Sequence, residues 1–117
     1  MIPIAVYYNP ACGTARSVVE IIRNAGIEPK IIPYLKTPPT LSELKSLVEQ
    51  CPVTARDLLR TKEKLYTELG LDRPDVTDAT LLQAIADNPI LLNRPIVVSP
   101  KGVKVCRPAE NVLSLLP

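Results

Sequence analysis

The loop around Cys12 is the part of this chain whose residue types and spacing point most directly to chemistry. It reads Asn9-Pro10-Ala11-Cys12-Gly13-Thr14, and it separates a strand-like run from a helix-like pattern. The first turn of a helix presents unpaired backbone N–H groups and the positive end of the helix dipole, and both favour a thiolate over a thiol. Because the thiolate is the nucleophilic form, Cys12 is a candidate catalytic nucleophile. The alternative interpretation is a buried packing residue, as most free cysteines are.

The neighbours of Cys12 suit the same chemistry. Gly13 keeps the turn open, Thr14 offers a hydroxyl to the sulfur or to a bound anion, and Asn9 supports the loop. The backbone N–H groups that favour the thiolate would also bind an oxyanion. No second cysteine follows three residues later, so a dithiol mechanism is excluded. The resolving thiol has to come from another molecule, and glutathione is the obvious candidate.

The other two cysteines, Cys51 and Cys106, are interpreted as structural packing. The chain has no CxxC pair and no histidine, so we expect no metal site. Free thiols at wide spacings are typical of a reducing compartment, which favours a cytoplasmic protein.

Composition excludes several other classes of protein. The chain has 117 residues, a formal net charge of +2, 46% hydrophobic residues and only 3% aromatic ones. Its basic residues are scattered, which argues against a nucleic-acid partner. No apolar run approaches the ~20 residues that span a bilayer, so no membrane association is expected. We predict one domain over residues 1–117, acting as a monomer.

The first third of the chain predicts a β-α-β unit. Residues 2–8 form a mostly apolar run typical of a buried strand. A helical pattern begins at Gly13 and stops near Gly26, and a second strand follows at about residues 30–35. Pro33 cannot donate to a ladder, so this strand should lie at an edge. Such a unit gives a parallel pair with a right-handed crossover.

The middle of the chain, about residues 40–90, predicts an all-helical insert. Short helices are expected after the capping residues Thr40, Thr54 and Thr77 (or Asp78), and near Leu65 and Leu69. Strands at 95–98 and 103–105 follow, joined by a glycine turn, and a last helix begins near Pro108 and carries Val112, Leu113 and Leu116. The fold class is therefore α/β, a thioredoxin-like mixed sheet of about four strands, β-α-β then β-β-α, with the helical insert between.

Five co-linear segments closely resemble the bacterial glutaredoxin-linked arsenate reductases, and they cover nearly the whole chain. They are Tyr8-Asn9-Pro10-Ala11-Cys12-Gly13-Thr14-Ala15-Arg16, Tyr34-Leu35-Lys36-Thr37-Pro38-Pro39-Thr40, Leu58-Leu59-Arg60, Asn88-Pro89-Ile90-Leu91-Leu92-Asn93-Arg94-Pro95-Ile96-Val97-Val98 and Cys106-Arg107-Pro108. The resemblance implies reduction of arsenate to arsenite with glutathione as co-substrate, glutaredoxin as partner and no bound cofactor.

The resemblance also implies roles for three arginines. Arg60, Arg94 and Arg107 stand where this family has its oxyanion-binding arginines. Guanidinium groups suit that role because their paired N–H donors match a tetrahedral oxyanion. Each arginine taken alone would be interpreted as a solvated surface charge. Pro95, after Arg94, stands where thioredoxin-like folds usually have a cis proline beside the nucleophile.

One residue departs from the family, and two alternative functions stay open. Many relatives carry histidine where this chain has Tyr8, so the helix terminus and the arginines have to stabilise the thiolate, with Tyr8 or Asn9 as a candidate hydrogen-bond donor. The same scaffold also occurs in glutathione-dependent thiol reductases of uncertain substrate and in redox-linked regulators that bind RNA polymerase. The regulators sense oxidants with a CxxC, which this chain lacks.

Overall fold

A computed structural model describes residues 4–50 and 54–116 of the chain. Chain contacts divide it into two compact units. Unit 1 comprises the chain up to Thr37 and again from Arg94 onward, and unit 2 comprises Pro38–Asn93. Cys51 lies outside the described residues, as do the beginning of the predicted first strand and the last residue of the chain. The prediction of a single domain with an insert at about 40–90 stays a prediction.

Unit 1 contains a four-stranded sheet with the order β2-β1-β3-β4. The strands are β1 (Ala5–Tyr7), β2 (Lys30–Ile32), β3 (Ile96–Ser99) and β4 (Gly102–Val105). β1 pairs with β2 in parallel and with β3 in antiparallel fashion, and β3 and β4 form an antiparallel hairpin. The mixed sheet, its edge strand β2 and its hairpin are confirmed. β2 ends before Pro33. Pro33 begins a turn, in which its carbonyl accepts from the N–H groups of Lys36 and Thr37.

Helix α1 (Gly13–Asn24) covers the sheet because its apolar residues recur at helical spacing. Val18 and Ile22 are fully buried and pack with Val6 of β1 and Val97 of β3. Each such side chain contributes about 1.5–3 kcal/mol when it leaves water. The helix ends at Asn24, and the chain turns away at Gly26, whose φ of +84° lies in the left-handed region that glycine adopts without strain. Cys106 belongs to the same core, in agreement with its interpretation as packing.

The chain ends in a 3₁₀ helix (Ala109–Leu115), where the sequence predicted an ordinary helix. In a 3₁₀ helix, residues three apart share a face. Ala109, Val112 and Leu115 therefore face the core, whereas Leu113 is 57% exposed. The prediction that Leu113 lies on the apolar side of this helix was wrong for that reason.

Unit 2 is helical, as predicted. It contains α2 (Leu41–Gln50), α3 (Lys64–Glu68), α4 (Asp78–Asp87) and two 3₁₀ helices (Ala55–Leu58 and Pro89–Leu91). The predicted capping box of α2 is present, since Thr40 Oγ1 accepts from the N–H of Glu43 at 3.1 Å and the Glu43 carboxylate accepts from the N–H of Thr40 at 3.1 Å. Thr54 and Thr77 also cap the helices that follow them. Within the described ranges, no helix is long and apolar enough to cross a membrane.

Candidate active site

The loop between β1 and α1 is fixed by Asn9. Its side-chain oxygen accepts from the N–H of Ala11 at 2.9 Å, and its carbonyl accepts from the N–H of Cys12 at 2.9 Å. An asparagine oxygen bonded two residues ahead shapes a tight turn. Cys12 is the N-cap of α1, and its carbonyl accepts from the N–H of Arg16 at 3.2 Å. The local sequence thus places the sulfur at the helix N-terminus.

The environment of Cys12 favours the thiolate. The residue is only 8% exposed, and this burial raises its pKa. The backbone N–H groups of Ala15 and Thr14 and the guanidinium of Arg94 act in the opposite direction and prevail, so the pKa of Cys12 lies below its ordinary value. The two N–H groups lower the pKa of the thiol, although the Cys12 side chain does not form a capping hydrogen bond of ordinary geometry with the helix.

Two of the three predicted arginines lie beside Cys12. Arg107 Nη1 is 3.9 Å from Cys12 Sγ, a long contact, and also donates to the carbonyl of Arg94 at 3.2 Å. Arg94 is the arginine that lowers the pKa of Cys12, through a hydrogen bond and through its charge. Each arginine precedes a cis proline, Pro95 and Pro108 respectively. The structure therefore brings Cys12, Arg94 and Arg107 together within unit 1.

Tyr34 is a site residue that the arginine pattern did not indicate. It is fully buried, and its hydroxyl accepts from Arg94 Nη1 at 3.5 Å. This contact helps to orient the guanidinium that interacts with the sulfur. The only signal in the sequence was the position of Tyr34 at the start of the second segment that resembles the family.

Among the described contacts, neither Tyr8 nor Asn9 supplies the hydrogen bond to the sulfur of Cys12 that was considered from the sequence. Tyr8 packs against the hydrophobic core, and the side-chain oxygen of Asn9 is used by Ala11. Neither belongs to the described groups that shift the pKa of Cys12. Gly13 is the first residue of α1, and a Cβ added there would meet only the guanidinium of Arg16, at 3.7 Å. That is an ordinary contact, so the space around Gly13 does not require glycine.

Arg60 lies in unit 2, two residues after the 3₁₀ helix Ala55–Leu58. Its backbone N–H donates to the carbonyl of Leu91 at 2.7 Å, and its Nε is 4.0 Å from the carboxylate of Glu63. Its Nη1 is buried without a hydrogen-bond partner among residues 4–50 and 54–116. A buried donor without a partner costs about 1–3 kcal/mol, which a bound acceptor would recover. Its role at the site stays a prediction.

Unit 2 also contains a cavity of about 470 Å³ between Leu69, Leu71 and helix α4. None of the predicted site residues lines it, so the chemistry indicated by the sequence does not involve this cavity.

The fold and the site together define a thioredoxin-like protein with one cysteine at the N-terminus of its first helix. The ArsC family model matches residues 7–115, and the chain belongs to the ArsC family. It is similar to the arsenate reductase of Escherichia coli strain K12, with 51% identity over 97% of this chain and 81% of the relative. It is also similar to that of Rhizobium meliloti, with 47% identity over the same shares.

A solved structure supports the same assignment. The arsenate reductase from Vibrio cholerae superposes with a TM-score of 0.94 at 39% identity, over 98% of each chain. The predicted fold and the resemblance drawn from the sequence are both confirmed.

Proposed function

We propose that this protein reduces arsenate to arsenite with electrons from glutathione and glutaredoxin, and that Cys12 is its nucleophile. The observation that carries the proposal is the position of the Cys12 sulfur, at a helix N-terminus and beside the guanidinium groups of Arg94 and Arg107. Both a thiolate and a tetrahedral oxyanion are stabilised by such an arrangement. The arsenate reductases among its relatives support arsenate as that oxyanion.

In the first step, the Cys12 thiolate attacks arsenic. An As–S bond forms, one arsenate oxygen leaves as water after taking up protons, and arsenic stays pentavalent. Arg94 and Arg107 neutralise the remaining oxygens, which lie where their N–H groups converge near the sulfur. Arg60 is included in this set on the resemblance to the family alone.

The redox change comes in the later steps. Glutathione adds to arsenic through its sulfur, and a second oxygen leaves as water. A glutaredoxin thiolate then attacks that sulfur, an S–S bond forms, and the electron pair of the broken As–S bond stays on arsenic, which becomes trivalent. Water finally displaces Cys12, which releases arsenite and restores the thiolate. The thiols supply both electrons, so the proposal needs no bound cofactor.

A cytoplasmic location belongs to the same proposal. Glutathione and reduced glutaredoxin are available in a reducing compartment, and the free thiol of Cys12 agrees with one.

The test is arsenate-dependent NADPH oxidation in the presence of glutathione, glutathione reductase and glutaredoxin. Cys12→Ser should reduce turnover by a factor of about 10³ or more, because a hydroxyl at that position stays protonated and is a poor nucleophile. Cys106→Ala is the matched control, since that cysteine lies in the hydrophobic core and its loss should leave turnover of the folded protein nearly unchanged.

Two results would contradict the proposal. One is substantial turnover by Cys12→Ser. The other is a wild-type protein that arsenate does not stimulate but that reduces a glutathione mixed disulfide, which would identify it as a thiol reductase instead.

A further inference from the structure

A polar groove lies beside the Cys12 loop, between helix α1 and the C-terminal 3₁₀ helix. Its walls include Gly13, Thr14, Arg16 and Glu20 on one side and Pro108 and Glu110 on the other. Its volume is about 800 Å³, within the range of ~300–1,000 Å³ of pockets that bind small molecules. The mechanism above assigns no function to this groove.

The groove has one basic side chain, Arg16, and two acidic side chains, Glu20 and Glu110. The guanidinium of Arg16 folds back along the helix, where its Nη2 would stand 3.7 Å from a Cβ on Gly13, so the positive charge lies towards Cys12. Glu20 follows one turn further along α1, and Glu110 comes from the opposite wall. In the described part of the chain, no ion pair involves any of these three charged side chains. They are available to a ligand.

We propose that this groove binds glutathione, with Arg16 holding the glycine carboxylate and Glu20 and Glu110 holding the ammonium group of the γ-glutamyl residue. The assignment rests on the proposed function, which requires glutathione to approach Cys12. The eight residues from Gly13 to Glu20 rise about 10 Å along the helix, and a tripeptide in extended form also spans about 10 Å. The charges at the two ends of the ligand thus match the charges of the groove in sign, and the length of the ligand matches the stretch of α1 that forms one wall.

This placement also positions the reacting sulfur. The cysteine is the middle residue of glutathione, so anchoring both ends holds its thiol between them, close to the loop that carries Cys12. A thiol held in position reacts as if it were present at a much higher concentration. The groove would therefore set the KM for glutathione, whereas Arg94 and Arg107 would set the KM for arsenate.

The direct test measures binding without any reaction. The full-length protein is titrated with S-methylglutathione, which has no free thiol, and with S-methyl-γ-glutamylcysteine, which lacks the glycine carboxylate. The wild type should bind S-methylglutathione about fivefold more tightly, a typical effect of one solvent-exposed ion pair. Arg16→Gln should weaken binding of S-methylglutathione by about the same factor and should no longer distinguish the two ligands.

The acidic side of the groove is tested in the same titration. Glu20→Gln combined with Glu110→Gln should weaken both ligands by a similar factor, because both carry the γ-glutamyl ammonium. Arg23→Gln is the matched control, since Arg23 lies on the same helix but is exposed and pairs with Glu28 instead. It should bind both ligands as the wild type does.

Three results would overturn the assignment. They are no binding of S-methylglutathione by the wild type at about 10 mM, unchanged binding by Arg16→Gln, and equal discrimination between the two ligands before and after that substitution.

In the NADPH assay, Arg16→Gln should raise the KM for glutathione and leave the KM for arsenate unchanged. The reverse pattern would also overturn the assignment. Failure of the proposed function is a separate result, because it appears as a wild-type protein that arsenate does not stimulate, whatever the titration gives.

Discussion

At the scale of single residues, the reactivity of Cys12 is decided by a balance between burial and hydrogen bonding. Burial alone would make this thiol less acidic than a free cysteine. The N–H groups of the first helical turn and the guanidinium of Arg94 reverse that effect. A chain without histidine can therefore hold a reactive thiolate, provided that one arginine stands close to the sulfur.

The two arginines near Cys12 should differ in their effect on its pKa. Because the pKa is lowered, the thiolate persists to a lower pH than in an ordinary cysteine and is lost as the pH falls through the lowered value. Arg94→Gln should raise the pKa clearly, because Arg94 lowers it through a hydrogen bond and through its charge. Arg107→Gln should raise it less, because the contact of Arg107 with the sulfur is long, 3.9 Å. The pH dependence of alkylation of Cys12 by iodoacetamide measures both.

The lowered pKa of Cys12 also makes the stability of the folded protein depend on pH. Above the ordinary pKa of cysteine, about 8.5, the stabilised thiolate adds fully to the free energy of unfolding. That contribution disappears as the pH falls through the lowered pKa of the folded protein. Equal shifts in the two arginine variants, or a wild-type alkylation midpoint at or above that of free cysteine, would contradict this account of the site.

Part of the site could be predicted from the sequence because part of it is local. The position of Cys12 at a helix N-terminus follows from the pattern of a single segment. The contact between Arg94 and Tyr34 joins residues sixty positions apart. Such a contact depends on how β1, β2 and β3 are ordered in the sheet, and no periodicity in the sequence specifies it. Which arginine lowers the pKa of Cys12 could not be predicted for the same reason.

At the scale of elements, the capping residues correctly predicted where helices begin. The sequence did not predict that the last helix is a 3₁₀ helix. Thr40, Thr54 and Thr77 cap the helices predicted to follow them, because a hydroxyl that accepts from a nearby N–H acts within four residues. In the C-terminal segment, Val112 is followed by leucines at 113, 115 and 116. That pattern fits a spacing of three as well as a spacing of four, so the sequence did not distinguish a 3₁₀ helix from an α-helix.

Two leucines in that segment, separated by one residue, test which face of the 3₁₀ helix is buried. Leu115 is 3% exposed and packs into the core, whereas Leu113 is 57% exposed. Leu115→Ala should lower the free energy of unfolding by about 2–3 kcal/mol, and Leu113→Ala by less than about 0.5 kcal/mol. Urea denaturation of the two variants measures the difference. Similar losses in both, or the larger loss in Leu113→Ala, would show that the segment has a different register.

At the scale of the whole molecule, the central question is whether two compact units behave as one domain. Unit 1 consists of two chain segments separated by the whole of unit 2, so its sheet forms only when residues distant in sequence meet. Arg94 and Tyr34 are hydrogen-bonded inside unit 1, close to the two points where the chain leaves for unit 2. Units of about sixty residues bury a smaller fraction of their surface on folding than larger domains do, about 60%, and are marginal alone.

We therefore expect the full chain to unfold in one cooperative transition. The unfolding enthalpy should be about 80 kcal/mol near 60 °C, as is usual for a chain of this length. Differential scanning calorimetry tests this, because the calorimetric and van't Hoff enthalpies agree only for a two-state transition. Two separate heat-absorption peaks, or a van't Hoff enthalpy near half the calorimetric one, would show that the units unfold independently.

The edges of the sheet have a further consequence, for how copies of this protein behave at high concentration. β2 has only three residues and stops at Pro33, and β4 has four and carries Lys104, whose ammonium donates to Ser114 Oγ. Short edge strands bounded by proline or bearing lysine offer few free N–H and C=O groups to a strand from another molecule. Strand-to-strand aggregation is thereby discouraged. The monomeric state stays a prediction, and edges of this kind are what it requires at high concentration.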